Sequence, residues 1–201
     1  VLNSVLSPVI VVTGYMHDEV ERVLPGSVDE IVYNSSWESG MATSICAGIS
    51  ALPDDVDGNM IVMGDMPLVT VETLDGLVNQ FCIHEGDRIV YPLYSDRQAN
   101  PVIFPRKYFS EILSSKGDRG CKKVLKQYPD DAIRIPINSD EVILDCDTKD
   151  DYLRIISNLA IYRKTRASAI WPAEFLGGEE VVDGIIEAFA FACADPFRVA
   201  T

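Results

Sequence analysis

The first eighty or so residues alternate between short apolar runs and amphipathic segments, and this alternation restricts the fold more than any other feature. The apolar, β-branched run at Pro8–Thr13 is typical of a buried strand, and Glu30–Tyr33 and Asn59–Met63 are interpreted as a second and a third strand. Apolar residues recur at helical spacing in Met41–Leu52 and Val71–Phe81. Strands that alternate with helices favour a parallel sheet covered on both faces. The pattern therefore predicts an α/β protein with a mostly parallel sheet.

The last part of the chain breaks this rhythm. Residues 163–178 mix basic, small and Pro-Gly residues, which is typical of a linker. Val181–Ala194 is apolar and is interpreted as a last helix. We therefore expect one α/β domain over residues 1–162, followed by a linker and a C-terminal helix over residues 163–201.

The charge balance and the cysteines exclude several classes of protein. A formal net charge of −14 argues against a protein that follows a nucleic-acid backbone, because such proteins need a basic surface. No apolar run reaches the roughly 18 residues of a membrane span, and Val1–Leu6 lacks the basic start of a signal peptide. The five cysteines form no CxxC pair, so we expect reduced thiols. These features indicate a cytoplasmic protein whose partners include neither nucleic acid nor a membrane.

Gly64-Asp65-Met66-Pro67 directly follows the third predicted strand. Ligands of open α/β sheets bind beyond the carboxyl ends of the strands, where Gly64 permits a close backbone approach and Asp65 offers a carboxylate. Such a carboxylate suits Mg²⁺, which takes a few oxygen ligands together with substrate phosphates. The alternative is that Asp65 caps the next turn, and spacing alone does not separate the two roles.

Asp145-Cys146-Asp147-Thr148 follows a predicted short strand at Val142–Leu144 and precedes a predicted helix that runs to Tyr162. One of its carboxylates could share a metal with Asp65. On spacing alone, however, a plain helix cap is favoured, because Thr148 and Asp151 fit a capping box.

Two polar loops could hold a substrate. In Asn34–Ser44, the free N–H groups where a helix begins at Gly40 and Met41 could receive an anion or a base. In Asp96–Pro101, Asn100 could hydrogen-bond a substrate and Arg97 could meet a phosphate. An ordinary surface loop also explains each of them, and explains the second one better when it is taken alone.

The ordered set of motifs is more specific than any member. It comprises Asn34…Trp37-Glu38…Gly40-Met41…Ser44…Ala47-Gly48, then Gly64-Asp65-Met66-Pro67-Leu68-Val69, Asn100-Pro101-Val102-Ile103-Phe104, Gly117-Asp118-Arg119-Gly120 and Asp145-Cys146-Asp147-Thr148. With this array the chain resembles the MobA-like nucleotidyltransferases, most closely the molybdenum cofactor cytidylyltransferases. The resemblance runs from about Pro8 to Tyr162.

The resemblance implies a fold, a metal and a set of site residues. The fold is a Rossmann-like, mostly parallel α/β sheet of the nucleotide-diphospho-sugar transferase type, with helices on both faces. Asp65 and Asp147 are implied to be the Mg²⁺ ligands and the catalytic residues. The positions implied to contact the nucleotide or substrate are Gly40, Met41, Ser44, Gly64, Met66, Pro67, Asn100 and Pro101.

The implied reaction is attack by the terminal phosphate of molybdopterin on the α-phosphorus of a nucleoside triphosphate, with release of pyrophosphate. The resemblance favours CTP over GTP as the donor and implies a molybdoenzyme as recipient of the product. Such chemistry depends on metal-assisted positioning and charge neutralisation.

One family feature is missing from the sequence. Members open with a strand and a Gly-rich loop of the type Leu-Ala-Ala-Gly…Arg-Met-Gly…Lys, which wraps the triphosphate. Here Val1–Leu6 matches only the end of the helix that follows this loop. We therefore expect an N-terminally truncated form of the fold with an exposed strand edge that favours association.

Two other functions stay open on the sequence. An inactive remnant or interaction module of the family would also lack the triphosphate loop. A metal-dependent sugar-nucleotide glycosyltransferase would use Asp145-Cys146-Asp147 as a DxD motif, which its position near the end of the α/β core disfavours.

Overall fold

The computed structural model describes residues 1–114, 121–155 and 189–192. These residues form an eight-stranded sheet with helices packed on it. The strands are β1 (Val9–Thr13), β2 (Glu30–Tyr33), β3 (Gly58–Met63), β4 (Ile89–Tyr94), β5 (Arg97–Gln98), β6 (Val102–Pro105), β7 (Ala132–Pro136) and β8 (Phe189–Ala192). The helices are α1 (His17–Val23), α2 (Met41–Ala51), α3 (Val71–Ile83), α4 (Phe109–Leu113), α5 (Lys122–Gln127) and α6 at residues 149–155. In these three ranges no helix is long and apolar enough to cross a membrane.

The sheet is mixed in direction. Its strands follow the order β2-β1-β8-β3-β6-β4-β5, and β7 pairs with β4. β1 pairs with β2, and β4 with β7, in parallel. β8 runs antiparallel to β1 and β3, and β6 runs antiparallel to β3 and β4. Consequently β1, β2, β3, β4 and β7 all point the same way. The expected α/β class is confirmed, and the sheet is not strictly parallel.

β8 fills the place between β1 and β3. It pairs with Val9–Val12 on one side and with Met60–Met63 on the other. Two predictions are therefore wrong: Phe189–Ala192 forms a strand and not part of a helix at Val181–Ala194, and the facing edges of β1 and β3 are paired. Two such edges would leave rows of unpaired N–H and C=O groups, which a strand can satisfy and a helix cannot. The rest of the predicted linker and helix lies outside the described residues.

Apolar layers cover both faces of the sheet. On one face, the buried side of α3 packs against Met60 and Val62 of β3. On the other face, α2, α4 and α5 pack against Ile61 of β3 and against Ile10 and Val12 of β1. Successive side chains of a strand point to opposite faces, so β3 has to be apolar throughout its central residues. The prediction of helices on both faces is confirmed.

The segment after β7 departs from the sequence prediction. Asp140–Val142 forms a 3-10 turn, whereas a strand was expected at Val142–Leu144. The Leu144 N–H donates to the Asp140 carbonyl at 3.1 Å, and the Ser139 side chain caps the turn. Because these backbone groups are satisfied locally, the segment needs no strand partner.

Candidate functional site

One edge of the sheet collects the carboxyl ends of its same-direction strands. The chain leaves β2 at Asn34, β3 at Gly64, β4 at Ser95 and β7 at Ile137. Ligands of α/β sheets bind in the crevice outside this kind of edge. The predicted site residues that follow β3 therefore lie where the fold offers a binding site.

Asp65 is buried in an unusual way for a carboxylate. It is 7% exposed, and its Oδ1 atom has no hydrogen-bond partner among the described residues. Burial, followed by the charges of Asp147 and Asp145, raises the pKa of Asp65 to about 6. Thr70, and not Asp65, is the N-cap of α3, where its side chain accepts from the Thr73 N–H. The capping role that was the alternative for Asp65 is thus performed by another residue.

The acidic segment at residues 145–147 lies directly beside Asp65. The Cys146 N–H donates to the Asp65 carbonyl oxygen at 2.8 Å. Burial first, and then Asp145 and Asp151, raise the pKa of Asp147, whose side chain is exposed. The segments that carry Asp65 and Asp147, separated by about 80 positions in the sequence, are brought together by the fold.

Helix capping does not account for Asp147 either. The Asp151 N–H donates to the Thr148 hydroxyl at 3.2 Å, and that hydroxyl donates to the Asp151 carboxylate at 2.7 Å. Thr148 thus caps α6, although the Asp151 carboxylate bonds the Thr148 hydroxyl and not the Thr148 N–H of a full capping box. The Asp147 side chain is thus left for another role.

The residues at this edge fit a divalent cation that substrate phosphates help to hold. In the described ranges, no three His, Cys, Asp or Glu side chains form a complete metal cage. Mg²⁺ is typically bound by one or two carboxylates, with phosphates and water completing its octahedron. A buried carboxylate oxygen without a partner and a nearby second carboxylate provide such a partial site. A bound cation would favour the ionised form of Asp65 and so oppose the burial, and the charges of Asp147 and Asp145, that raise its pKa.

The turn that leads into α2 is held by Asn34. Its side-chain amide donates to the hydroxyls of Thr43 at 2.8 Å and Ser44 at 2.9 Å, and its carbonyl oxygen accepts from the Ser36 N–H. Asn34 and Ser44 are both buried, so their hydrogen bond holds the turn against the protein interior. Gly40, with φ of 101°, opens α2 in a backbone conformation that favours glycine.

An open cleft lies on the face of the sheet covered by α2 and α5. It has about 540 Å³ of free space, part of it continuous with solvent, and Met41 and Asn100 line it together. Its other lining is mainly apolar, apart from Gln98, Cys121 and Lys122. The structure therefore brings these two predicted substrate residues into one cavity.

The remaining predicted positions differ in exposure. Met66 and Pro101 are buried, whereas Gly64 and Pro67 are half-buried in the loop that carries Asp65. The motif Gly117-Asp118-Arg119-Gly120 lies outside the described residues. One buried carboxylate escaped the sequence analysis: Glu141, in the turn before the acidic segment, is 2% exposed. It belongs to no motif, and its partners Thr70 and Thr73 become its neighbours only in the folded chain.

Comparison with known proteins gives one match to a family model and several to individual proteins. A model of the MobA-like NTP transferase domain matches residues 1–132. The chain is 25% identical over 148 residues to the molybdenum cofactor cytidylyltransferase of Escherichia coli K12, which covers 73% of each protein. The acidic segment at residues 145–147 lies beyond the part that the family model matches.

A second relative matches only a short stretch. Fifty residues are 66% identical to the 3-hydroxy-3-methylglutaryl-coenzyme A reductase of Archaeoglobus fulgidus, which covers 25% of this chain and 12% of the reductase. Because the chain spans about an eighth of that relative, the match does not transfer the reductase's activity.

A solved structure shares the fold. The manganese complex of Rv0371c from Mycobacterium tuberculosis H37Rv has a TM-score of 0.61 and 23% identity, covering 74% of this chain and 76% of that one. At this identity the likeness concerns the fold alone, and it confirms the α/β architecture. Because the family model covers about two thirds of its residues, the chain belongs to the MobA-like NTP transferase domain family.

Proposed function

We propose that this chain is a metal-dependent nucleotidyltransferase that transfers CMP from CTP to the terminal phosphate of molybdopterin and releases pyrophosphate. The observation that carries the proposal is the buried carboxylate of Asp65, whose Oδ1 has no partner in the described ranges and which lies beside Asp145–Asp147. Family membership supports nucleotidyl transfer as the class of reaction. The Escherichia coli relative, a molybdenum cofactor cytidylyltransferase, supports CTP as the donor and the molybdenum cofactor as the acceptor.

In this proposal Asp65 and Asp147 hold Mg²⁺. The cation would supply charge neutralisation on the triphosphate as the pyrophosphate departs. The manganese complex of the mycobacterial protein supports a divalent cation in this fold. The hydrogen bond from the Cys146 N–H to the Asp65 carbonyl keeps the two ligand segments in contact. The exposed side chain of Asp147 is free to reach a phosphate-bound ion.

The bond changes of the proposed reaction are those of a single displacement. An oxygen of the acceptor's terminal phosphate forms a bond to the α-phosphorus of CTP. The bond between the α-phosphorus and its bridging oxygen breaks, and pyrophosphate leaves with that electron pair. No side chain forms a covalent bond, so the protein's contribution is to bind, orient and neutralise.

We assign the acceptor to the cleft between α2 and α5. The mainly apolar lining suits a flat ring system, and Gln98 and Asn100 offer amide groups to its polar edge. Met41 extends from the start of α2 into the same space. In this proposal the backbone at Gly40 and Gly64 can approach the nucleotide closely, because neither residue carries a side chain.

The proposal is tested by assaying product formation from molybdopterin with CTP and with GTP, each with Mg²⁺ and with EDTA. Cytidylylated product that requires Mg²⁺ is expected. Asp65→Asn and Asp147→Asn should each reduce turnover at least about a hundredfold, because both remove charge from the cation site. Asp54→Asn is the matched control, since that side chain is exposed and pairs only loosely with Arg106 at 3.6 Å. Full turnover in EDTA, or in both site variants, would contradict the proposal.

A further inference from the structure

Glu141 is a buried carboxylate that the proposed reaction does not use. Its Oε1 accepts hydrogen bonds from Thr70 at 3.3 Å and Thr73 at 2.5 Å, and its Oε2 accepts one from Ser139 at 3.1 Å. A carboxylate that is 2% exposed is retained only where hydrogen bonds offset its lost hydration. These hydroxyls therefore define one position for the Glu141 side chain.

Two of the hydroxyls belong to the segment that carries Asp65. Thr70 caps α3, and the Thr73 N–H donates to the Thr70 hydroxyl at 3.2 Å. That hydroxyl in turn donates to Glu141, so the helix cap and the carboxylate form one chain of hydrogen bonds. Only buried or half-buried residues separate Asp65 from Thr70. The start of α3 and Asp65 are therefore joined by a short segment that is packed into the protein.

The other end of this network carries the acidic segment. Glu141 precedes Asp145 by four residues. Within that stretch the Val142 carbonyl accepts from the Asn100 N–H at 3.1 Å, and the Cys146 N–H donates to Asp65 at 2.8 Å. Residues 141–146 are thus hydrogen-bonded to the region of Asp65 at both ends. At one end the Glu141 side chain bonds Thr70 and Thr73, and at the other the Cys146 N–H bonds the Asp65 carbonyl.

We propose that Glu141 is a positioning residue that sets the separation of the Asp65 and Asp147 carboxylates, and thereby the affinity for a divalent cation. It does so without touching the cation or the nucleotide. The inference rests on the proposed function, because it assumes that these two carboxylates bind one cation. Partners that orient metal ligands typically account for a ten- to hundredfold difference in metal affinity.

The test measures the affinity for Mn²⁺ from the paramagnetic resonance signal of the free ion, with protein alone and no nucleotide. Glu141→Ala should weaken Mn²⁺ binding about tenfold. Thr73→Val removes one donor at nearly constant shape and should weaken binding by a smaller factor. Glu141→Gln keeps an oxygen acceptor for the threonines and should restore most of the affinity. If Glu141 had only a structural role, Glu141→Gln and Glu141→Ala proteins of equal stability would bind Mn²⁺ with equal affinity.

Tyr108→Phe is the matched control for a lost buried hydrogen bond. Tyr108 donates to Asp131 at 2.5 Å, in a cluster with Arg88 and Lys107 next to the start of β7. This variant should bind Mn²⁺ as the parent does, even where its melting temperature falls.

The outcomes separate this inference from the proposed function. Equal Mn²⁺ affinity in the parent, Glu141→Ala and Thr73→Val overturns the positioning role and leaves the cation site intact. A parent that binds no Mn²⁺ without nucleotide overturns the positioning role, and Mn²⁺ binding that survives Asp65→Asn overturns both. Where Glu141→Ala does not fold, Thr73→Val decides the comparison.

Discussion

The ionised side chain of Asp65 is unfavourable in the folded protein when no cation is bound. Burial, and then Asp147 and Asp145, raise its pKa from 3.8 to about 6. One pKa unit corresponds to about 1.4 kcal/mol, so the ionised form costs the folded state about 2 kcal/mol after allowance for solvent screening. Carboxylates with strongly shifted pKa values are candidates for functional residues. The cost supports a role for Asp65 beyond stability.

Asp65→Asn should therefore stabilise the protein in EDTA at pH 8. A raised folded-state pKa means that the folded protein holds the proton more tightly than the unfolded chain. The Asp65 contribution to the free energy of unfolding is intact below pH 4 and is lost as the pH rises through about 6. The variant's melting temperature should exceed the parent's at pH 8 and match it at pH 4. An equal difference at both pH values would contradict this account.

At the scale of single residues, the sequence predicts a role only where a motif marks the residue. Asp65 and Asp147 were proposed from their positions in ordered motifs, and the fold brings their segments together. Glu141 was missed because nothing local distinguishes it from the other acidic residues nearby. Its environment depends on Thr70 and Thr73, which are about seventy positions earlier in the chain.

At the scale of elements, β3 is packed tightly enough to exclude a side chain at its first residue. A Cβ atom on Gly58 would lie 2.8 Å from the Phe104 carbonyl oxygen and 2.6 Å from the Phe81 ring. The carbonyl belongs to β6, the antiparallel neighbour of β3, and Phe81 belongs to α3. The close contact fixes the distance from β3, the strand that leads to Asp65, to β6 and α3.

Gly58→Ala should consequently destabilise the protein by about 1–3 kcal/mol, as overpacking of a filled core does. Gly76→Ala is the matched control, because no atom lies within 4 Å of a Cβ there and the residue is in the middle of α3. That change should stabilise the protein by about 0.5–1 kcal/mol, since alanine favours helix. Urea denaturation of both variants measures the two effects. Stabilisation by Gly58→Ala would show that β3 is not so tightly packed.

Elements with strong periodicity were predicted well, and elements set by distant partners were not. α3 was expected at Val71–Phe81 and forms at Val71–Ile83, because its apolar spacing and Thr70 cap are local signals. β8 was expected to be helical. The strand forms because β8 pairs with β1 on one side and with β3 on the other, which satisfies its backbone N–H and C=O groups. That information lies more than 120 positions away in the sequence.

At the scale of the whole molecule, the net charge of −14 opposes the binding of anions. A nucleoside triphosphate and a phosphorylated acceptor are both anionic, so a local positive field has to offset the repulsion. A cation at Asp65 and Asp147 would provide that field where the strands end. The acidity of the chain thus makes the cation site the central requirement of the proposed reaction.

The most direct test of that requirement is an anomalous diffraction map of crystals soaked with Mn²⁺ and a non-hydrolysable CTP analogue. We expect a manganese peak within coordination distance of the Asp65 and Asp147 carboxylates, with the triphosphate bound to the same ion. In crystals of Asp65→Asn the peak should be lost. A nucleotide bound elsewhere, or no peak at these carboxylates beside a bound nucleotide, would contradict the account.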